Sequence, residues 1–157
     1  MAVQTVITRE EATAQVLAAK KLKGLTFEEI ARAVGRDKVW TTAALMGQHP
    51  LSKDEAEKAV KVLGLGEDAV GAVAAALQEI PMRGSLDTAV PVDPTIYRFY
   101  ELIQVYGPTM KALIHEMFGD GILSAIDFEM DIQKKPDPKG DRVVITLNGK
   151  FLSYRKW

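Results

Sequence analysis

The chain has 157 residues, 47% of them hydrophobic, with no cysteine and a formal net charge of −1. That apolar content supports a core for one medium domain or two small ones, and no apolar run approaches the ~20 residues that cross a bilayer. Disulfides and thiolate chemistry are excluded, two histidines are too few for a histidine-built metal centre, and near-neutral charge gives no broad attraction to nucleic acid or anionic lipid.

The start, Met1 to Thr8, lacks the basic and apolar segments of a signal peptide, so the expected compartment is the cytosol. Thr8 and Glu11 form a capping box ahead of Ala12, Val16 and Ala19, which predicts a first helix running to about Lys23. Thr26 and Glu29 repeat the box before Ile30, Ala31 and Val34, and Gly35 supplies the stop. Asp37 caps a third helix that ends at Gly47. Ser52 and Glu55 open a fourth, to about Gly64, and a fifth covers 68–80. The two short helices around Gly35, with Ile30, Ala31, Val39 and Leu45 turned inward, resemble the helix-turn-helix of repressor-like domains. A DNA-binding regulator with a C-terminal oligomerisation domain is therefore the alternative to weigh.

A DNA-reading helix must offer several arginine, lysine, asparagine or glutamine side chains to base edges and phosphates. Between Arg36 and Gly47 the only cations are Arg36 and Lys38, with Asp37 between them. Residues 1–50 hold seven cations and five acids. No nucleic-acid partner is expected, and a helical packing domain over residues 1–80 is the preferred reading.

Pro81, Gly84 and Pro91 break regular structure and mark 81–93 as a linker. Asp93 and Pro94 then start a helix expected to end at Val105 or Tyr106, before Gly107. A further helix is expected from Pro108 to Phe118, closed by Gly119. Ile126, Phe128, Met130 and Ile132 alternate with Asp127, Glu129 and Asp131, as in a strand with one wet face. Residues 134–141 read as a loop. Val143, Ile145 and Leu147 begin a second strand, Asn148-Gly149 reads as a two-residue hairpin turn, and Lys150 to Tyr154 returns as a third. The fold class is α+β: a helix-turn-helix-like bundle, then a small α+β domain over 94–157. So small a sheet is marginal alone, which predicts an intertwined dimeric sheet and a homo-oligomer.

Arg98 and Glu101, three apart on the predicted helix, share a face and can touch one anion. Considered alone, such spacing more often gives an exposed intrahelical ion pair. Ser124 follows the flexible corner Gly119-Asp120-Gly121 and, taken alone, reads as a small core residue. No G-x-S-x-G elbow or histidine base accompanies it. His115 reads as structural or surface. Gly119 and Gly121 are not followed by the lysine of a phosphate loop, and Glu116 and Asp120 lack partners for a metal site.

Two blocks decide among these readings. Pro94-Thr95-Ile96-Tyr97-Arg98-Phe99-Tyr100-Glu101-Leu102-Ile103-Gln104-Val105-Tyr106-Gly107 closely resembles the active-site helix of the cyanases. Leu113-Ile114-His115-Glu116-Met117-Phe118-Gly119-Asp120-Gly121-Ile122-Leu123-Ser124-Ala125-Ile126 resembles that family's other signature. The resemblance spans nearly the whole chain and implies a cytoplasmic lyase that uses bicarbonate as co-substrate to decompose cyanate, through carbamate, to ammonia and carbon dioxide. It implies Arg98, Glu101 and Ser124 as the catalytic set, with Ala125 and Leu152 also lining the substrate site. It further implies no metal or organic cofactor, and a decamer built from five intertwined dimers. The chain departs from the family pattern at Ser153, where a proline is expected, so residues 154–157 carry no assigned role.

Overall fold

A computed structural model describes residues 6–84, 86 and 88–157, which form two compact units, Met1–Gly84 and Ser85–Trp157. Among the described residues there are six helices and a two-stranded antiparallel sheet, an α+β fold. The predicted linker includes Ser85 and Asp87, which lie outside the described residues.

The first unit is all helical: α1 Arg9–Lys23, α2 Phe27–Val34, α3 Lys38–Leu45, α4 Lys53–Leu63 and α5 Glu67–Gln78. Each expected capping box is formed. Thr8, Thr26 and Ser52 accept from the backbone of Glu11, Glu29 and Glu55, whose carboxylates accept in return from the cap N–H groups. Two otherwise orphaned donors are thereby satisfied at each of these helix starts. Asp37 accepts from Val39 and Trp40 to start α3. Gly35, at φ +85°, adopts the left-handed conformation that lets α2 stop and the chain reverse into α3.

Apolar side chains at helical spacing meet in one core, with Val16, Ile30, Leu45, Val60, Leu63, Val73 and Leu77 fully buried. The inward set expected of the short helix pair holds for Ile30, Ala31 and Leu45, whereas Val39 is only half-buried and Ala44 and Thr41 take the inner face. Arg36, which the regulator reading would need for DNA, is paired with the buried Glu55 and lies 5.9 Å from the Trp40 ring. The Ser52 N–H bond, and then Arg36, hold the Glu55 carboxyl below the usual carboxylate range.

The second unit contains α6 Pro94–Phe118, β1 Gly121–Lys135 and β2 Arg142–Ser153. Asp93 caps α6 by accepting from Thr95 and Ile96, and Pro94 occupies the first turn, where no N–H is needed. The expected break at Gly107-Pro108 does not occur: α6 runs through it for 25 residues. A proline in a helix forfeits one backbone bond, but much of the clash it imposes on the preceding residue involves that residue's Cβ, and Gly107 has none.

The three expected strands are two long ones. The chain turns at 136–141, where Asp137 accepts from the Lys139 N–H and pairs with Arg142. Asn148-Gly149 is not a turn; it lies inside β2, opposite Glu129 and Phe128. The register is regular at Gly121–Leu123 and again from Phe128, with a bulge between. Ile126, expected on the dry face, sits in that bulge and is 98% exposed.

This unit has no core of its own. Pro91, Gly121 and Ser124 are its only buried described residues, and none belongs to α6. Phe99, Ile103, Val105, Leu113, Met117 and Phe118 on α6, and Val143 and Leu147 on β2, remain largely exposed. An isolated soluble domain rarely leaves so much apolar surface in water.

Candidate active site

Capping by Asp93 fixes the start of α6 and so the direction in which its second turn projects. There the Arg98 Nη1 donates to the Glu101 Oε2 at 2.7 Å. Both side chains reach solvent, 67% exposed for Arg98 and 44% for Glu101, so the pair adds little to stability. Its value is geometric, because a held guanidinium keeps its remaining donors aimed.

Arg98 lines an open groove of about 650 Å³ with Pro94, Thr95, Phe99, Leu102, Val143 and Ile145. Apart from Arg98 its walls are mainly apolar. Glu101 lines a second concavity with Tyr97, Tyr100, Gln104 and Val105, in which the two tyrosine rings stack at 5.9 Å. A small anion held by Arg98 would thus sit against low-polarity walls, where charge interactions strengthen.

Ser124 lies in the β1 bulge and is 4% exposed. Its Oγ accepts from the Ile126 N–H at 3.1 Å and the Asp127 N–H at 2.9 Å. With both acceptor positions used, what the hydroxyl can offer a ligand is its proton, and two donors pulling on the oxygen make that O–H a stronger donor. No base bonds to Ser124 among the described contacts. The geometry suits an anion-binding donor better than a nucleophile. His115, with Nε2 3.2 Å from the Gly121 carbonyl oxygen, ties the end of α6 to the start of β1, which accords with a structural role.

Arg98 and Glu101 are therefore brought together, while Ser124, Ala125 and Leu152 line neither of the two concavities. Ala125 is exposed in the bulge, and Leu152 pairs with Ile122 at its edge. Among the described residues no group of three or more histidine, aspartate or glutamate side chains is placed to hold a metal, and no helix is long and apolar enough to cross a membrane.

The bulge itself escaped the sequence reading. Its signal was the break in apolar alternation at Ser124-Ala125, just before the period resumes at Ile126.

Comparison with known proteins adds an independent line. The family model described as "Cyanate hydratase, N-terminal" matches residues 9–81, and "Cyanate lyase C-terminal domain" matches 88–156. The chain is 57% identical over 148 residues to a cyanate hydratase of Mycolicibacterium vanbaalenii, covering 94% of each chain. It is 56% identical over 151 residues to that of Thiobacillus denitrificans, covering 96% of this chain and all of the relative. Among solved structures, cyanase from T. urticae superposes with a TM-score of 0.78 at 40% identity, covering 91% of this chain and 97% of that one.

Proposed function

This chain belongs to the cyanate lyase family and is an enzyme that decomposes cyanate; from that premise we propose that bicarbonate is its co-substrate and that Arg98, Glu101 and Ser124 carry the reaction. The observation behind the activity is that both units match the two family models in order, with full-length relatives above 50% identity. The regulator alternative is not favoured: Arg36, just ahead of its would-be reading helix, is already paired with Glu55.

The residue assignments follow from charge. Cyanate and bicarbonate are both anions, and bringing them within reaction distance requires preorganised donors. Arg98 supplies a planar fork suited to a carboxylate-like anion, Glu101 orients it, and Ser124 donates its proton to the second anion. Ala125 and Leu152 line the site. A bicarbonate oxygen attacks the cyanate carbon as protons pass to nitrogen, giving carboxycarbamate. That species loses carbon dioxide to leave carbamate, which takes one proton and separates into ammonia and a second carbon dioxide. Two protons are consumed in all, with no oxidant or reductant. The steps need no metal or organic cofactor to form or break a bond; the two anions are held by the Arg98 fork and the Ser124 hydroxyl, with further donors supplied where subunits meet.

Because no described α6 residue is buried, the working species is an oligomer in which another copy covers that helix. We assign it as a decamer of five intertwined dimers, each active site drawing residues from more than one subunit, in the cytoplasm. Sedimentation should find about ten times the 17.2 kDa chain mass. A stable, active monomer would contradict the assignment. Labelled bicarbonate and unlabelled cyanate should yield equal amounts of labelled and unlabelled carbon dioxide in the first turnovers; label confined to unreacted bicarbonate would exclude it as co-substrate.

A further inference from the structure

We propose that Gly149 is a positioning residue for Ser124, acting by leaving empty the space into which the β1 bulge folds. The proposal rests on the reading of Ser124 as part of the active site. Gly149 sits within β2, opposite Phe128, at the point where the register resumes after the bulge. It is not among the glycines with positive φ, so its backbone conformation is one that any residue could adopt. The demand for glycine is therefore spatial, and it comes from one direction. A Cβ at Gly149 would lie 2.7 Å from the Ser124 carbonyl oxygen, 2.7 Å from the Leu123 Cδ1 and 3.0 Å from its Cγ.

The carbonyl contact carries the argument, because a side chain can turn away and a backbone oxygen cannot. To admit even a methyl group, the Ser124 peptide must retreat by a fraction of an ångström from β2. The Ser124 Oγ is anchored within the bulge by the Ile126 and Asp127 N–H groups. A displaced peptide then either drags the hydroxyl with it or breaks those two bonds, and both outcomes re-aim the donor. Misplacing a reacting group by about 1 Å can cost ~10²-fold in rate, so a smaller displacement is expected to cost at least ~10-fold.

A double-mutant cycle on the assembled enzyme separates positioning from general damage. Gly149→Ala should lower kcat by at least ~10-fold in an otherwise native enzyme, and should lower it no further in the Ser124→Ala background. Asn148→Ala, next door on the same strand, should leave kcat unchanged. If Gly149→Ala does not assemble, Leu123→Ala/Gly149→Ala removes the side-chain part of the clash while keeping the methyl against the Ser124 carbonyl, and the same cycle applies. A Gly149→Ala enzyme with native kcat overturns the proposal, as does an equal loss in both backgrounds. Failure of both Gly149 variants to assemble also overturns it, since the space would then serve folding. Native turnover in Ser124→Ala alone would instead overturn the assignment of the active site.

Discussion

Replacing Arg98 by lysine is expected to lower cyanate turnover by at least ~10²-fold while leaving the oligomer intact. Lysine keeps the charge but loses the planar fork, and the Arg98–Glu101 bond at 2.7 Å shows a guanidinium already held in one orientation. An ammonium in its place would be more strongly hydrated and could not hold Glu101 and an anion with parallel donors. Stability should hardly change, because the pair is largely exposed. Ser124→Ala should fall in the same range, since it deletes the one O–H whose oxygen is already committed to two backbone donors. Lys111→Ala, on α6 but outside the proposed site, is the control and should retain near-native turnover. Steady-state kinetics on variants matched for sedimentation would decide the matter. Native turnover in both Arg98→Lys and Ser124→Ala would remove these residues from the reaction.

The largest loss of stability is expected elsewhere, at Arg9. The residue is 8% exposed and has no carboxylate within ion-pair distance among the described residues. Nη1 donates to the Ala76 carbonyl at 2.7 Å, and Nη2 donates to those of Ala44 at 2.8 Å and His49 at 2.7 Å. Ala76 and Ala44 lie in the last turns of α5 and α3, where orphaned carbonyls gather and the helix dipole favours a cation. Burial pushes the Arg9 pKa below the usual arginine value, with Glu79 and Glu10 opposing it. One side chain thus satisfies the ends of two helices from the first turn of a third.

Arg9→Met keeps apolar bulk but takes the charged donor from three carbonyls, of which Ala44 keeps the Gly47 N–H at 3.0 Å and Ala76 the Glu79 N–H at 3.3 Å. Hydrogen bonds to charged groups contribute ~1.5–3 kcal/mol each before relaxation, and the desolvation that Arg9 no longer suffers offsets part of that, so a net loss of about 3 kcal/mol is expected. For a helical unit of this size that corresponds to a Tm lower by roughly 12–24 °C, read by far-ultraviolet circular dichroism. A shift under ~4 °C would show that water replaces the guanidinium at little cost.

Arg9 also marks where the sequence stops being informative. Its position one residue after the Thr8 cap reads as a surface cation at the start of an amphipathic helix, and only the convergence of α3 and α5 makes it a hub. What the chain spells out locally was legible: the capping boxes at Thr8, Thr26 and Ser52, the Asp37 and Asp93 caps, and the α+β order of elements. Two strong local signals were overridden by their surroundings. Gly107-Pro108 reads as a helix end, yet a glycine before the proline relieves much of the clash that would have ended it. Asn148-Gly149 reads as a turn, yet the glycine answers to the Ser124 carbonyl across the sheet, a contact no local pattern records.

The candidate site divides the same way. Arg98 and Glu101 are three residues apart on one helix, so spacing alone predicts that they meet, and they do. Ser124 is carried on a different element, and nothing in a single sequence gives its distance from Glu101, 23 residues earlier. The family blocks singled it out where spacing could not. On the proposed assignment, another copy covers the exposed apolar surface of α6 and supplies the walls that would bring Ser124 into one site with Arg98 and Glu101.

Ammonia release from cyanate, followed in carbon-dioxide-free buffer and again after bicarbonate is added back, tests the central claim most directly. The account predicts negligible release without bicarbonate and rapid, saturable release with it, lost in Arg98→Lys. Equal release in both buffers would contradict it.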